Sequence, residues 1–154
     1  MMNQGQRANK SGKLLEELAG HIASQYGYDY IGYKDYLRHT PHKAIVKGWP
    51  YQSIYGHESR GDGAVVVGGT VKVWIEAKRQ NVPGSVDEKM PYVMANAARA
   101  WVKLAPTVII IMQGDGFKEG ARQWTQLEAD KHPNILVMDA SSFLNWFYKN
   151  ESSL

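Results

Sequence analysis

Asp62, Glu76 and Lys78 are the residues of this sequence whose types and spacing could do chemistry. Val71, Val73 and Ile75 alternate with Lys72, Trp74 and Glu76, the period of a β-strand, so Glu76 and Lys78 share one strand face. Before them stand a Val-rich run and Gly68-Gly69-Thr70, which together write a β-hairpin. The loop length decides where Asp62 falls. A three-residue loop pairs Val67 with Val71 and sets Asp62 opposite Glu76, with Cβ atoms about 4.5–5.5 Å apart. A two-residue loop slips the register by one and sets Asp62 opposite Ile75. Two carboxylates at that separation repel unless a cation sits between them or one keeps its proton. The chemistry expected is therefore that of a cation site with an amine beside it.

An Asp, a spacer and then Glu76-Ala77-Lys78 on the following strand resembles the motif of the PD-(D/E)xK nuclease superfamily. Gly61 stands where the family name has Pro. The resemblance implies an α/β, restriction-endonuclease-like core, a mixed central sheet flanked by helices, covering roughly residues 11–140. It also implies a Mg²⁺-dependent DNA endonuclease, with Mn²⁺ able to substitute, that hydrolyses phosphodiester bonds as type II restriction enzymes do. Asp62 and Glu76 would hold the metal, and Lys78 would orient the attacking water and stabilise charge on the phosphate. Gln80, further along the strand, and Glu16, in a Gly12-Lys-Leu-Leu-Glu16 stretch that resembles the family's first helix, are additional catalytic candidates. Two other readings stand beside this one. The first is a structure-selective, homing or repair nuclease of the same superfamily, such as a junction resolvase; the second is an inactive nucleic-acid-binding module.

Composition sets the bounds. With 154 residues and 44% hydrophobic content the chain makes one globular domain, expected over residues 11–150 behind a flexible tail of residues 1–10. The absence of Cys excludes a disulfide framework and a thiolate nucleophile. Without a signal peptide or an apolar run long enough for a bilayer, a soluble, cytoplasmic protein is expected. The net charge of +3 and a pI near 9.0 permit a polyanionic partner. Distribution says more than the total: seven of the nine tyrosines fall within residues 26–55, interleaved with Lys and Arg. Flat rings and cationic groups together suit a nucleic-acid surface, so residues 28–50 are expected to contact DNA through Arg38, Lys43 and Lys47. Arg60, at the mouth of the hairpin, is a further phosphate candidate. So are Ser85 and Lys89, where a Ser85-x-x-Glu88 capping box can open a helix facing an anion.

The remaining pattern supplies the elements that must position these groups. Leu14, Leu15, Leu18 and Ile22 form a helical stripe ending near Gly27. Residues 51–55 look extended and are expected to give the first strand of the sheet. After the hairpin a helix begins at Val86 or at Pro91 and runs to about residue 104. The apolar run at 107–112 reads as a buried strand, residues 118–131 as a helix and 135–138 as a short strand. Asp139 caps a last helix ending near Asn150, and residues 151–154 read as a tail. A single Asp…Glu-x-Lys set attacks one strand, so a double-strand break calls for a homodimer or higher symmetric assembly, with Trp124 and Trp146 as interface candidates.

Overall fold

The computed structural model describes residues 4–154, with side chains from residue 11 onward. A six-stranded mixed sheet carries the molecule, in the order β1 (Asp29–Gly32), β2 (Lys43–Lys47), β5 (Gly63–Val67), β6 (Thr70–Arg79), β7 (Thr107–Gln113), β8 (Ile135–Met138). The pairs β1/β2, β6/β7 and β7/β8 are parallel, while β2/β5 and β5/β6 are antiparallel. Helices α1 (Gln4–Tyr26) and α5 (Ala140–Asn150) cover one face, and α3 (Val86–Arg99) and α4 (Glu119–Asp130) the other.

Alternation on the strands sorts the core into two layers. Leu14, Leu15, Leu18 and Ile22 of α1 meet Val65, Val73, Ile75 and Ile109 together with Phe143 and Phe147 of α5. On the opposite face Val86, Met90, Val93 and Ala97 of α3 meet Trp74, Val108 and Ile110. Strand β7 buries Val108, Ile109, Ile110 and Ile111 completely, as a central strand flanked by helices on both sides must.

Four expectations need correcting. Helix α1 begins at Gln4, so most of the expected tail is helical; residues 1–3 lie outside the described residues. Residues 51–55 do not open the main sheet. Pro50–Gln52 (β3) pairs instead with Glu58–Arg60 (β4) in a separate two-stranded arm, and the main sheet takes its first strands from β1 and β2, on either side of a short α2 (Tyr33–His39). Helix α3 starts at Val86, one of the two expected starts, with Pro91 inside it, but the expected capping box is not seen, because the Ser85 side chain makes no capping bond at the N-cap. Finally, the segment after Asn150 is a 3₁₀ turn in which Glu151 receives the Lys43 ammonium at 2.9 Å and the Tyr28 hydroxyl at 3.3 Å.

Other boundaries fall where local chemistry puts them. Gly27 at φ 72° ends α1, its N–H donating to the Ala23 carbonyl. Asp139 accepts the Ser142 N–H at 2.8 Å at the start of α5, which holds its carboxyl below the usual range. Among the described residues, no helix is long and apolar enough to cross a membrane.

Candidate active site

The hairpin β5/β6 settles the position of Asp62 in an unexpected way. Val67 pairs with Thr70, so the loop is the two-residue Gly68-Gly69, with φ of 58° and 83° as a type I′ turn requires. That register, continued, would set Asp62 against Ile75. It does not continue: Val66 pairs with Val71 but Val65 pairs with Val73, leaving Lys72 as the extra residue of a β-bulge. Val71 accordingly faces the Trp74 layer while Val73 faces the α1 layer. Past the bulge Gly63 pairs with Ile75, and the next residue, Asp62, comes to the level of Glu76. The Asp62 carboxylate accepts the Ala77 N–H at 2.9 Å, which fixes it beside the Glu76-Ala77-Lys78 segment.

The Lys78 ammonium donates to Glu76 Oε1 at 2.8 Å, and both side chains are largely buried. Burial first, and the Asp62 carboxylate second, push the Glu76 carboxyl up to about 7, and the Lys78 ammonium offsets this only in part. Burial alone would lower Lys78, but Glu76 and Asp62 outweigh it and hold the ammonium above its ordinary value. For Lys78 the direction is set by charge, since the Glu76 and Asp62 carboxylates both act on its ammonium.

Gly61, in the position of the motif's Pro, has a physical cause. A Cβ there would lie 2.2 Å from Cζ2 of the fully buried Trp74, and the Gly61 N–H, which Pro would lack, donates to the Trp49 carbonyl at 2.9 Å.

Glu76 and Lys78 open into a cavity of about 190 Å³ whose other walls include Tyr51, Lys89, Tyr92 and Trp101. Tyr51, from the arm, sits edge-on to Trp74 and Trp101 at 5.5 and 5.6 Å. The arm's turn is fastened to α3: the Ile54 N–H donates to Asn96 Oδ1 at 2.9 Å, and Tyr55 stacks on Tyr92 at 5.3 Å and 23°. Sequence pattern marked Tyr51 and Tyr55 as part of a tyrosine-rich block and an extended segment, and Tyr92 as the end of the Gly84-Ser85-x-x-Glu88-Lys89-x-Pro91-Tyr92 stretch, but gave no signal for Asn96 or for the meeting of these residues.

The other predicted residues scatter. Gln80 is buried and committed to the scaffold: its amide donates to Asp87 and to the Gly116 carbonyl, each at 3.0 Å, and its oxygen accepts the Val86 N–H at 2.9 Å. Glu16 is exposed on α1; burial first, then the Glu16 and Asp62 carboxylates, raise the Tyr30 hydroxyl above its ordinary value. Lys43 points to Glu151 and Tyr28, Lys47 lies 5.9 Å from the Tyr30 ring, and Arg38 is exposed on α2. Arg60 pairs with Glu58 at 3.4 Å and lies over Tyr33. Ser85 begins α3, and Lys89, one turn on, is the only one of these cations that lines the cavity with Glu76 and Lys78. Of the interface candidates, Trp124 is 40% exposed, whereas Trp146 packs against Phe147.

Among the described residues no three His, Cys, Asp or Glu side chains are grouped so as to hold a metal ion, and the carboxylates that act on each other are those of Asp62 and Glu76. Those two still fit a divalent cation. They are hard oxygen donors, and the repulsion from Asp62, which adds to burial in raising the Glu76 carboxyl, is what a cation would relieve. Mg²⁺ characteristically takes one or two protein carboxylates and fills the rest of its shell with water and phosphate oxygens.

No curated protein and no solved structure matches the chain significantly. A model of the PD-(D/E)XK nuclease superfamily domain matches residues 7–151, nearly the whole chain and every residue of the site. The sheet, the flanking helices and the Asp62/Glu76/Lys78 cluster agree with that match, and the chain belongs to the PD-(D/E)XK nuclease superfamily.

Proposed function

We propose that the protein is a Mg²⁺-dependent DNA endonuclease, with Mn²⁺ able to substitute. The observation that carries this reading is the convergence of Asp62 on Glu76 and Lys78 across the bulged hairpin. Asp62 and Glu76 would hold the ion, which when bound supplies Lewis-acid neutralisation of the scissile phosphate and a water of lowered pKa. Asp62 is kept from rotating by the Ala77 N–H. Lys78, held as an ammonium by the two carboxylates, suits a donor that orients water and stabilises negative charge on the phosphate more than it suits a proton acceptor. The choice of DNA as partner is supported by the net charge of +3 and by exposed Arg38, Lys47 and Lys89.

A restriction-type cutter of plain duplex would act as a homodimer, for which Trp124, exposed on α4 beside the exposed Leu127, is a candidate anchor. The arm, which adds Tyr51 to the wall of the cavity that Glu76 and Lys78 line, favours instead a structure-selective nuclease of the same superfamily. Incubating the protein with linear, supercoiled and branched DNA in Mg²⁺, Mn²⁺ or EDTA tests the reading. Metal-dependent products are expected, and their absence from every substrate in both metals would refute it.

A further inference from the structure

We infer that the stacked pair Tyr55–Tyr92 is a platform for an unpaired nucleobase, and hence that the substrate is a DNA strand unpaired next to the scissile phosphate. The inference rests on the nuclease reading for the phosphate and on separate observations for the base.

The first is access. Glu76 is 8% exposed, at the bottom of a small cavity. The arm carrying Tyr51 closes one side and is fastened to α3 through Asn96, itself 1% exposed. A cavity of about 190 Å³ has no room for a base pair. A strand that has left its partner can pass, because its phosphates and bases are free to turn separately.

The second observation is the stack. Tyr55 is 67% exposed and Tyr92 37%, although both rings are large and apolar. Tyr55 stacks on Tyr92 and has the His57 ring tilted beside it at 6.1 Å, yet most of its surface stays open, while Tyr92 lines the same cavity as Glu76, Lys78 and Lys89. A third ring laid on Tyr55 would continue the stack, and the strand it belongs to would then run from the platform toward two cationic side chains and the carboxylates. Stacking of this kind tolerates any base, so it selects strand state and leaves sequence unread.

The third is rigidity. The arm's turn is over-determined: Ser53 Oγ accepts the N–H groups of Tyr55 and His57 at 3.3 Å each, and Gly56 at φ 77° closes it. Tyr55 is thus presented by a fixed backbone, which reduces the ordering cost of binding.

Fluorescence of 2-aminopurine, placed at the unpaired position of an oligonucleotide, tests the platform in EDTA with the full chain, independently of cleavage. Binding to single-stranded or flapped DNA at least ten-fold tighter than to blunt duplex is expected, with quenching of the probe. Stacking contributes about 1–3 kcal/mol per base, so Tyr55→Ala should weaken that binding roughly 5- to 150-fold and abolish the quench, while Tyr55→Phe preserves both. Equal affinity for blunt duplex, or an unchanged quench in Tyr55→Ala, would overturn the platform. Its failure is distinguishable from failure of the nuclease reading. Strand preference without metal-dependent cleavage refutes the nuclease alone, and cleavage without preference refutes the platform alone.

Discussion

Asp62 and Ala77 are joined by a 2.9 Å hydrogen bond from backbone N–H to carboxylate, and through it the first acid of the motif is held beside the second. Since Asp62 contributes to the rise in the Glu76 pKa, neutralising it should relieve repulsion in the metal-free protein. Asp62→Asn retains an acceptor for Ala77 and is expected to raise Tm by roughly 2–4 °C, on the scale of about 1 kcal/mol in a domain of this size. Calorimetry in EDTA checks this. A lower Tm would show that the two carboxylates do not oppose each other.

Stability of the metal-free protein should fall with rising pH on account of Glu76. Its folded value of about 7 lies above the ordinary 4.5, so the folded state holds the proton more tightly than the unfolded chain does. The associated stability is fully present below about 4.5 and is lost as pH rises through about 7. Glu76→Gln removes this dependence. Its stability relative to wild type should be unchanged at pH 4 and higher by up to about 3 kcal/mol at pH 8. Denaturant melts at the two pH values measure the difference, and a difference of equal size at both would reject the assignment.

Gly61→Ala should destabilise the protein by about 1–3 kcal/mol through overpacking against Trp74, whose rigid buried ring cannot move aside as a flexible chain end would. Chemical denaturation gives the value. No loss would mean that the family's Pro position is open here.

Gln80→Ala should cost about 1–3 kcal/mol by leaving buried polar groups at Val86 and Gly116 without their partner. Because Gln80 ties the start of α3 to the loop after β7, faster hydrogen exchange at both places is the expected signature. A catalytic defect with unaltered exchange would restore Gln80 to the reaction.

Much of this architecture was legible from short-range pattern. The apolar run of β7, the Asp139 cap of α5 and the Glu76/Lys78 face each depend on neighbours in sequence, and each was found where expected. Strands β1 and β2 were not, because Ala44, Ile45 and Val46 form too brief an apolar run among Tyr, His, Pro and Gly to outweigh the turn signals around it. The bulge at Lys72 was beyond reach for a different reason. A two-residue turn and a one-residue bulge offset each other, so Asp62 arrives at the level first expected from a three-residue loop that does not exist. Local sequence specifies the turn, whereas the bulge answers to sheet twist and packing on both faces. The cavity was equally hidden, since the arm and α3 meet only in the folded chain.

The central claim is that Asp62, Glu76 and Lys78 form one metal-dependent hydrolytic site. It is tested most directly by single-turnover cleavage of a flapped DNA in Mg²⁺ by the wild type and by Asp62→Ala, Glu76→Ala and Lys78→Ala, each shown by circular dichroism to be folded. Each substitution is predicted to slow cleavage by at least about 10²–10³-fold. Wild-type rates in any one of the three, with unchanged metal dependence, would contradict the account.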